Sequence, residues 1–400
     1  MIGGKLQEIR KDRNYTQLEL ADLADVNYST ITKIETGFIE DPSFSIVQKL
    51  SKALNVQLET FTEDLNTKSF KLKSRRYLGN KFKLLEFISE IVRKEVGEFD
   101  SFCDIFAGTG VVGDYFNKRN IKIISNDILS SNFVSLNCFF KAQNFDESII
   151  KEKLAYLNNL EALEDNYASE TFGGTFFTIE NARKIGEIRE NINSIAENQD
   201  EKNILLTSLI YAMDKVANTV GHYDAYRKVL DNTKSIQLLL PEILSSNNYR
   251  NEVFREDANI LIRKIVCDVL YIDPPYNSRQ YSDAYHVLEN IVDWQKPEVF
   301  GVAKKMDRSH IKSKYCLKDA TKAFQDLIEN ANAKYILLSY NNTGEKKHER
   351  SNARINDMDI LNILEKKGKV SIYQKNFKAF STGRSETSGN RERIFYCKVK

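Results

Sequence analysis

Residues 269–277 read Val-Leu-Tyr-Ile-Asp-Pro-Pro-Tyr-Asn. The apolar and β-branched run from 268 to 272 predicts a buried strand, and Asp273 follows at its carboxyl end, where open α/β sheets place their sites. Pro274 and Pro275 prevent a further strand or an immediate helix and stiffen the turn. A carboxylate, a rigid carbonyl and the ring of Tyr276 together suit the binding of a planar amine. Taken alone, the stretch is equally typical of an ordinary strand that ends in a proline turn.

A glycine-rich turn lies upstream, in Phe102-Cys-Asp104-Ile-Phe106-Ala-Gly108-Thr-Gly110. A short apolar strand, this turn and a helix from 111 to 116 form a unit in which glycine lets the backbone approach a ligand. The next predicted strand, 121–124, leads to Asp127, which is placed like an acid that binds ribose hydroxyls. Two alternatives stay open: the glycines serve only helix–strand packing, or the ligand is a nicotinamide cofactor.

Other segments add strands and polar groups to the same pattern. Residues 253–257 and 334–341 predict strands that end in polar residues, the first in Asp257, and 394–399 predict a closing strand. Before the glycine turn, Gly79 permits a tight turn, and Lys81 beside it is suited to pair with a ligand carboxylate. A solvated lysine face is the alternative for that stretch. The pattern predicts an α/β fold.

The region 130–250 has a different composition, rich in Asn, Glu and Lys, with apolar residues at helical spacing. We therefore predict a mostly helical insertion. Within it, residues 215–228 mix basic groups with aromatics, including Tyr223 and Arg227, which suits contact with a DNA backbone and its bases. An ordinary amphipathic helix surface is the alternative.

Residues 5–62 predict a small helical unit. Thr16 is a suitable N-cap for a helix that starts at Gln17, and Gly37 ends a second short helix after a tight turn. The segment resembles the lambda-repressor/Cro-like helix-turn-helix family, whose second helix enters the major groove. The resemblance implies DNA contacts at six residues: Gln17, Asn27, Tyr28, Ser29, Thr32 and Lys33. A helical protein–protein module is the alternative.

Bulk properties exclude several classes of protein. The net charge of +2 is nearly neutral, so a polyanionic partner must be met by local patches. Apolar runs fall short of the roughly 20 residues of a membrane span, and the start of the chain has no apolar signal-peptide core. The five cysteines are scattered without Cys-x-x-Cys spacing, which argues against a zinc site or a disulfide framework. We expect a cytoplasmic protein without a metal.

From about residue 73 to 400, the chain resembles the D12 (Dam-like) class of adenine-N6 DNA methyltransferases. Three motifs carry the likeness, in the order of that class: Arg-Tyr-x-Gly-x-Lys at 76–81, Phe-x-Gly-x-Gly at 106–110 and Asp-Pro-Pro-Tyr at 273–276. The resemblance implies a Rossmann-like domain that uses S-adenosylmethionine, at 75–400, with the insertion at 130–250 recognising the target. A linker at 66–74 and an all-α helix-turn-helix domain at 1–65 precede it.

The resemblance also implies roles for individual residues. The catalytic turn is Asp273, Pro274, Pro275 and Tyr276. The cofactor contacts are Lys81, Asp104, Phe106, Gly108, Gly110, Asp127 and Asp257. Contacts of this domain with DNA are Tyr223, Arg227, Arg279 and Tyr281.

The expected function is methylation of adenine in double-stranded DNA. Segments 217–219, 279–281 and 339–341 resemble a restriction–modification branch of the class, which implies a cognate restriction endonuclease as partner. The N-terminal unit is expected to regulate its own operon, with a homodimer as one arrangement. Alternatives are a regulator whose methyltransferase-like domain is inactive, a cytosine-N4 methyltransferase and an RNA-directed enzyme.

Overall fold

The computed structural model describes residues 2–13, 15–39, 42–56, 69–341, 354–376 and 391–400. The chain divides into two compact units, Met1–Phe70 and Lys71–Lys400. Within these ranges, no helix is long and apolar enough to cross a membrane.

The first unit is helical. Its helices are α1 (Ile2–Asp12), α2 (Gln17–Ala24), α3 (Tyr28–Glu35) and α4 (Phe44–Leu54). Thr16 caps α2 as the sequence predicts: its hydroxyl accepts from Glu19 N at 3.1 Å, and the Glu19 carboxylate accepts from Thr16 N at 2.7 Å. Buried Ala21 lies on α2, and buried Ile31 and Ile34 lie on α3. The small side chain of Ala21 allows α2 and α3 to pack closely as a helix-turn-helix.

A seven-stranded sheet forms the centre of the second unit. Its strands are β1 (Ser101–Asp104), β2 (Lys122–Asn126), β3 (Glu252–Phe254), β4 (Cys267–Ile272), β5 (Ala333–Ser339), β6 (Gly368–Asn376) and β7 (Arg391–Val399). The order across the sheet is β3-β2-β1-β4-β5-β7-β6. The first five strands in this order, β3, β2, β1, β4 and β5, are parallel. Strand β7 runs antiparallel to both of its neighbours, β5 and β6. The chain reverses direction across the sheet between β1 and β4, which is where such sheets bind ligands.

Helices cover the sheet and extend beyond it. They are α5 (Leu85–Glu95), α6 (Val111–Asn117), α7 (Ser130–Phe140), α8 (Glu147–Asn159), α9 (Tyr167–Phe172), α10 (Ile179–Ile195), α11 (Gln199–Val216), α12 (Ala258–Leu261), α13 (Tyr281–Ala284), α14 (His286–Asp293), α15 (Ala320–Asn330) and α16 (Asp357–Lys367). One core cluster joins buried residues of β4 and β5 to those of α15 and α16, such as Leu270, Ile336, Phe324 and Leu364.

The region 130–250 is helical only in its first part. Helix α7 packs on the sheet next to β3 as well as on α11, so it belongs to the layer that covers the sheet. After α11, residues 217–251 contain only a two-residue strand, Leu240–Pro241, and a 3-10 segment, Ser245–Arg250.

The predicted linker at 66–74 lies partly outside the described residues, which resume at Ser69. From there the chain is folded: a short strand spans Ser69–Phe70, a 3-10 turn spans Leu72–Ser74, and Leu72 is buried.

Candidate active site

The carboxyl ends of the parallel strands meet at one edge of the sheet and surround a cleft. The cleft spans about 990 Å³, open solvent included, and is lined by four acids that end or follow strands: Asp104, Asp127, Asp257 and Asp273. Three further predicted cofactor residues also line it: Lys81, Phe106 and Gly108. The sheet therefore brings together residues that are far apart in the sequence.

Asp127 is tied to the glycine turn. Its two carboxylate oxygens accept from Gly108 N and Leu129 N, both at 2.9 Å. Burial raises the pKa of Asp127 to about 6, against the lowering effect of these hydrogen bonds. The carboxylate thus sits between the turn and the start of α7, facing the cleft.

Asp104 is the most buried acid of the cleft, with 1% of its surface exposed. Its Oδ1 has no hydrogen-bond partner among the described residues. Burial raises its pKa well above the ordinary value, and the nearby charges of Asp273 and Asp127 act in the same direction. A buried polar atom without a partner is costly, so Asp104 is suited to meet a polar group of a ligand.

Lys81 forms an ion pair with Asp273, with Nζ 2.8 Å from Oδ2. The ammonium also donates to the Gly79 carbonyl at 3.1 Å. Burial opposes the charge of Lys81, but the carboxylates of Asp273 and Glu392 raise its pKa above the ordinary value. Burial raises the pKa of Asp273, and Lys81 limits that rise. The lysine therefore favours the ionised form of the acid in the proline turn.

The ring of Tyr276 meets that of Tyr340 edge to face, with centroids 6.1 Å apart. The backbone of the turn is held as well, because the Tyr276 carbonyl accepts from Arg354 N at 2.9 Å. Pro274 is buried, and Pro275 borders the cleft.

Glu392 is a residue of this neighbourhood that the sequence did not reveal. Strand β7 starts at the edge where the parallel strands end, so Glu392 faces Asn341, whose Nδ2 donates to its Oε1 at 3.2 Å. Its Oε2 is buried without a partner among the described residues. Burial raises the pKa of Glu392, an effect that nearby Lys81 opposes. The sequence does show an acid at the start of the closing strand. It could not be assigned to the site, because its position there depends on β7 inserting antiparallel into the sheet.

The two predicted glycines of the turn have different surroundings. Gly108 has φ +54°, and a Cβ there would lie 3.0 Å from the Tyr77 ring. Gly110 has φ +83° and is not part of the cleft lining; a Cβ there would lie 2.6 Å from Leu136 Cδ2 and 3.0 Å from Phe140 Cε2. Gly110 thus allows α6 to start close against α7, which is the packing role that the sequence left open as an alternative.

The sequence model for "D12 class N6 adenine-specific DNA methyltransferase" matches residues 77–352. This range contains the cleft acids and more than half of the chain. The chain belongs to this D12 family. A second family model, for a helix-turn-helix, matches residues 6–61.

Relatives of this chain fall into two groups. Modification methylase StsI of Streptococcus sanguinis is 37% identical over 72% of this chain and 46% of its own length. Type II methyltransferase M.NlaIII of Neisseria lactamica is 33% identical over 79% of this chain and 95% of its own length. The N-terminal segment is similar to the HTH-type transcriptional regulator SinR of Bacillus subtilis, at 33% identity over 16% of this chain and 58% of that protein. The chain thus spans about half the length of StsI.

Of the four DNA contacts predicted for the D12 domain, Tyr223 requires correction. It is 1% exposed, and its hydroxyl donates to Asp214 at 2.8 Å, so the ring packs in the interior and does not face DNA. Arg227 is exposed and pairs with Asp231 at 3.0 Å. Arg279 lies 3.8 Å from Asp224 and is half-exposed. Tyr281 instead lines the cleft.

In the helix-turn-helix unit, four of the six predicted contacts are exposed: Asn27, Tyr28, Ser29 and Lys33. Gln17 and Thr32 are half-buried, and the Thr32 hydroxyl donates to Gln17 Oε1 at 3.3 Å. Gln17 Nε2 also donates to Glu35 at 2.7 Å, which in turn is held by Arg10. Gln17 and Thr32 therefore link α2 to α3, while the other four present their side chains to solvent.

Proposed function

We propose that this chain is a site-specific DNA methyltransferase that transfers a methyl group from S-adenosylmethionine to N6 of adenine in a restriction–modification system. The observation that carries the proposal is the acid Asp273, held in a proline turn beside Lys81, at the edge of a cleft that also contains Asp104 and Asp127. The names of StsI and M.NlaIII support the assignment to modification of DNA. A cognate restriction endonuclease acting on the same sequence is the corresponding partner.

The cleft residues fit S-adenosylmethionine. Asp127 would accept hydrogen bonds from the ribose hydroxyls, as acids after the second strand of nucleotide-binding folds do. The free oxygen of Asp104 suits the amino group of the methionine end, while Lys81, Phe106 and Gly108 border the same space. Asp257 would lie near the adenine ring of the cofactor. When bound, this cofactor supplies a methyl group already activated on a sulfonium.

The task left to the protein is to prepare the target nitrogen. The lone pair of adenine N6 is delocalised into the ring, which makes it a poor nucleophile. Asp273 and the Pro274 carbonyl would accept hydrogen bonds from the two amine protons and favour a pyramidal nitrogen. Lys81 helps Asp273 to stay ionised for this purpose. The gain comes from positioning and charge stabilisation.

The target base must leave the duplex to reach such a turn. Tyr276 would then stack on it, with Tyr340 supporting the tyrosine ring from its edge. Asp rather than Ser before the two prolines favours adenine over cytosine, as does membership of the D12 class.

A single assay tests this proposal. The purified protein is incubated with labelled S-adenosylmethionine and, in parallel, with genomic DNA or with RNA, and the digested nucleosides are separated. We expect the label in N6-methyladenine. Label in N4-methylcytosine would support the cytosine enzyme, and transfer to RNA alone would support the RNA-directed one. Absence of transfer to either nucleic acid would favour the inactive regulator.

We further propose that residues 1–65 bind a separate operator, in the promoter of the protein's own operon, as a homodimer. A helix-turn-helix of this size presents few base contacts, so specific sites are normally bound by two copies. Exposed Tyr28 and Lys33 on α3 support this role, as does similarity to a protein named as a transcriptional regulator.

A further inference from the structure

Arg75 is buried in the second unit, with 4% of its surface exposed, and is not part of the cleft lining. Its Nε donates to Asp214 Oδ2 at 3.1 Å, and its Nη1 donates to Asn132 Oδ1 at 2.9 Å. The guanidinium also lies 5.5 Å from the ring centre of Tyr77 and 5.6 Å from that of Tyr285. The Arg75 side chain thus contacts one residue on α7, one residue on α11 and two aromatic rings.

One of these partners, Tyr77, lines the cleft, and a second, Asn132, contacts Tyr77. Asn132 Nδ2 donates to the Tyr77 hydroxyl at 2.9 Å, and the nearby Asn132 amide lowers the pKa of Asp127. Tyr77 lines the cleft and packs against Gly108 of the glycine turn. The position of Arg75 therefore bears on both the acid and the ring that border the proposed ribose site.

The other side of Arg75 is fixed by the helical region. Asp214 lies on α11 and accepts a second hydrogen bond from Tyr223, so its carboxylate is held in place. A buried ion pair is weak as a source of stability, because desolvation offsets the attraction. The planar guanidinium, in contrast, donates to its acceptors in fixed directions while its face stacks on rings, and lysine has no planar group that could do this.

We propose that Arg75 is a positioning residue for the cofactor, which fixes Asn132 and Tyr77 and through them the cleft wall beside Asp127. This inference rests on the proposed function, since the ligand is S-adenosylmethionine. It assigns a purpose to a charged residue that the reaction itself does not use. It also gives the helical region, through Asp214, a direct connection to the cofactor site.

The test compares Arg75→Lys with Arg189→Lys. Arg189 is a matched control: it is 3% exposed, donates to the carbonyls of Ile291 and Val292 at 2.7 and 2.9 Å, and lies over the Trp294 ring, but does not line the cleft. Titration calorimetry with S-adenosylhomocysteine gives the Kd of each variant, and thermal unfolding gives its Tm. Both variants should lower the Tm, because both lose buried hydrogen bonds.

Only Arg75→Lys should weaken binding, by about tenfold, since hydrogen bonds to a charged group that order the cleft wall are lost. Arg189→Lys should bind like the wild type. Should Arg75→Lys not fold, Tyr77→Phe removes only the hydroxyl that Asn132 contacts and should raise the Kd about fivefold.

Unchanged affinity in Arg75→Lys or Tyr77→Phe would overturn the positioning role. Equal weakening in Arg75→Lys and Arg189→Lys would do so too, because it would indicate a general effect of destabilisation. A wild-type protein that binds no S-adenosylhomocysteine would overturn the proposed function itself, and this inference with it.

Discussion

At the scale of single residues, the account depends on the carboxylate of Asp273. Replacing it with Asn keeps the shape of the side chain but removes the charge and one acceptor, and leaves Lys81 without its partner at 2.8 Å. We expect Asp273→Asn to lower the rate of methyl transfer at least about 100-fold, the scale of losing one group that stabilises charge in a transition state. Single-turnover transfer to DNA measures this rate.

Cofactor affinity is the control for that variant, because Asp273 is assigned to the amine and not to the cofactor. Calorimetry with S-adenosylhomocysteine should give a Kd within about threefold of the wild-type value, because the substitution removes no contact assigned to the cofactor. A variant that transfers methyl groups at a near-normal rate would refute the mechanism. A variant that loses cofactor binding would move Asp273 to the cofactor's site.

Asp127 predicts a pH dependence. Its pKa is raised to about 6 by burial, and the ionised carboxylate accepts hydrogen bonds from the ribose hydroxyls more strongly than the protonated acid does, so binding favours loss of the proton. Cofactor affinity should therefore fall as the pH drops through about 6, by up to about tenfold per pH unit. The free energy of unfolding changes with pH in the opposite direction. The raised pKa of Asp127 stabilises the folded, protonated state at low pH, and this contribution is lost as the pH rises through about 6.

Calorimetry between pH 5 and pH 8, roughly one to two units on either side of that pKa, measures the effect. The control is Asp127→Asn, which should bind weakly and lose this component of the pH dependence. The same pH dependence in both proteins would assign the titration to another group and remove Asp127 from the ribose site.

At the scale of elements, the contact of α6 with α7 depends on Gly110. Gly110→Ala places a methyl group 2.6 Å from Leu136 in a left-handed conformation, so we expect a loss of about 2–4 kcal/mol in the free energy of unfolding. Gly97 is a matched control, because it has φ +77° but no heavy atom within 4 Å of its added Cβ. Gly97→Ala should cost only about 1–2 kcal/mol.

Urea denaturation of the two variants measures the difference. Equal losses would mean that backbone conformation, rather than the packing of α6 on α7, requires the glycine. Cofactor affinity of folded Gly110→Ala should change little, since Gly110 does not line the cleft.

The elements also show what a single sequence can and cannot predict. Local periodicity and the proline turn were enough to predict β4 and the position of Asp273, and the apolar run before Gly108 was enough to predict β1, because these signals lie within about ten residues. The burial of Tyr223 could not be predicted, because a segment that mixes basic and aromatic residues can lie on a surface or in a packed interior. Glu392 joins the site only because β7 inserts antiparallel beside β5, a long-range pairing that no local pattern encodes.

At the scale of the whole molecule, the two units are assigned two tasks. We expect deletion of residues 1–65 to leave methylation of the target sequence largely unchanged and to raise expression from the protein's own promoter, because the operator is no longer bound. Replacing both Tyr28 and Lys33 with Ala should have the same effect in the full chain. A promoter fusion and a methylation assay on the same variants measure the two quantities.

The competing explanation is that α1 to α4 help the enzyme to bind its substrate DNA. It predicts slower methylation in the truncated protein, in proportion to lost DNA affinity, with no change at the promoter. Unchanged promoter output combined with slowed methylation would therefore contradict the regulatory role.

The central claim is that this chain methylates adenine at a defined DNA sequence, and sequencing that detects N6-methyladenine tests it most directly. DNA is compared from cells that express the wild type and cells that express Asp273→Asn. We predict N6-methyladenine at one recurring sequence in the first sample, and strongly reduced methylation there in the second. Cells expressing the wild-type protein whose DNA carries no N6-methyladenine beyond the host background, or carries N4-methylcytosine instead, would contradict the account.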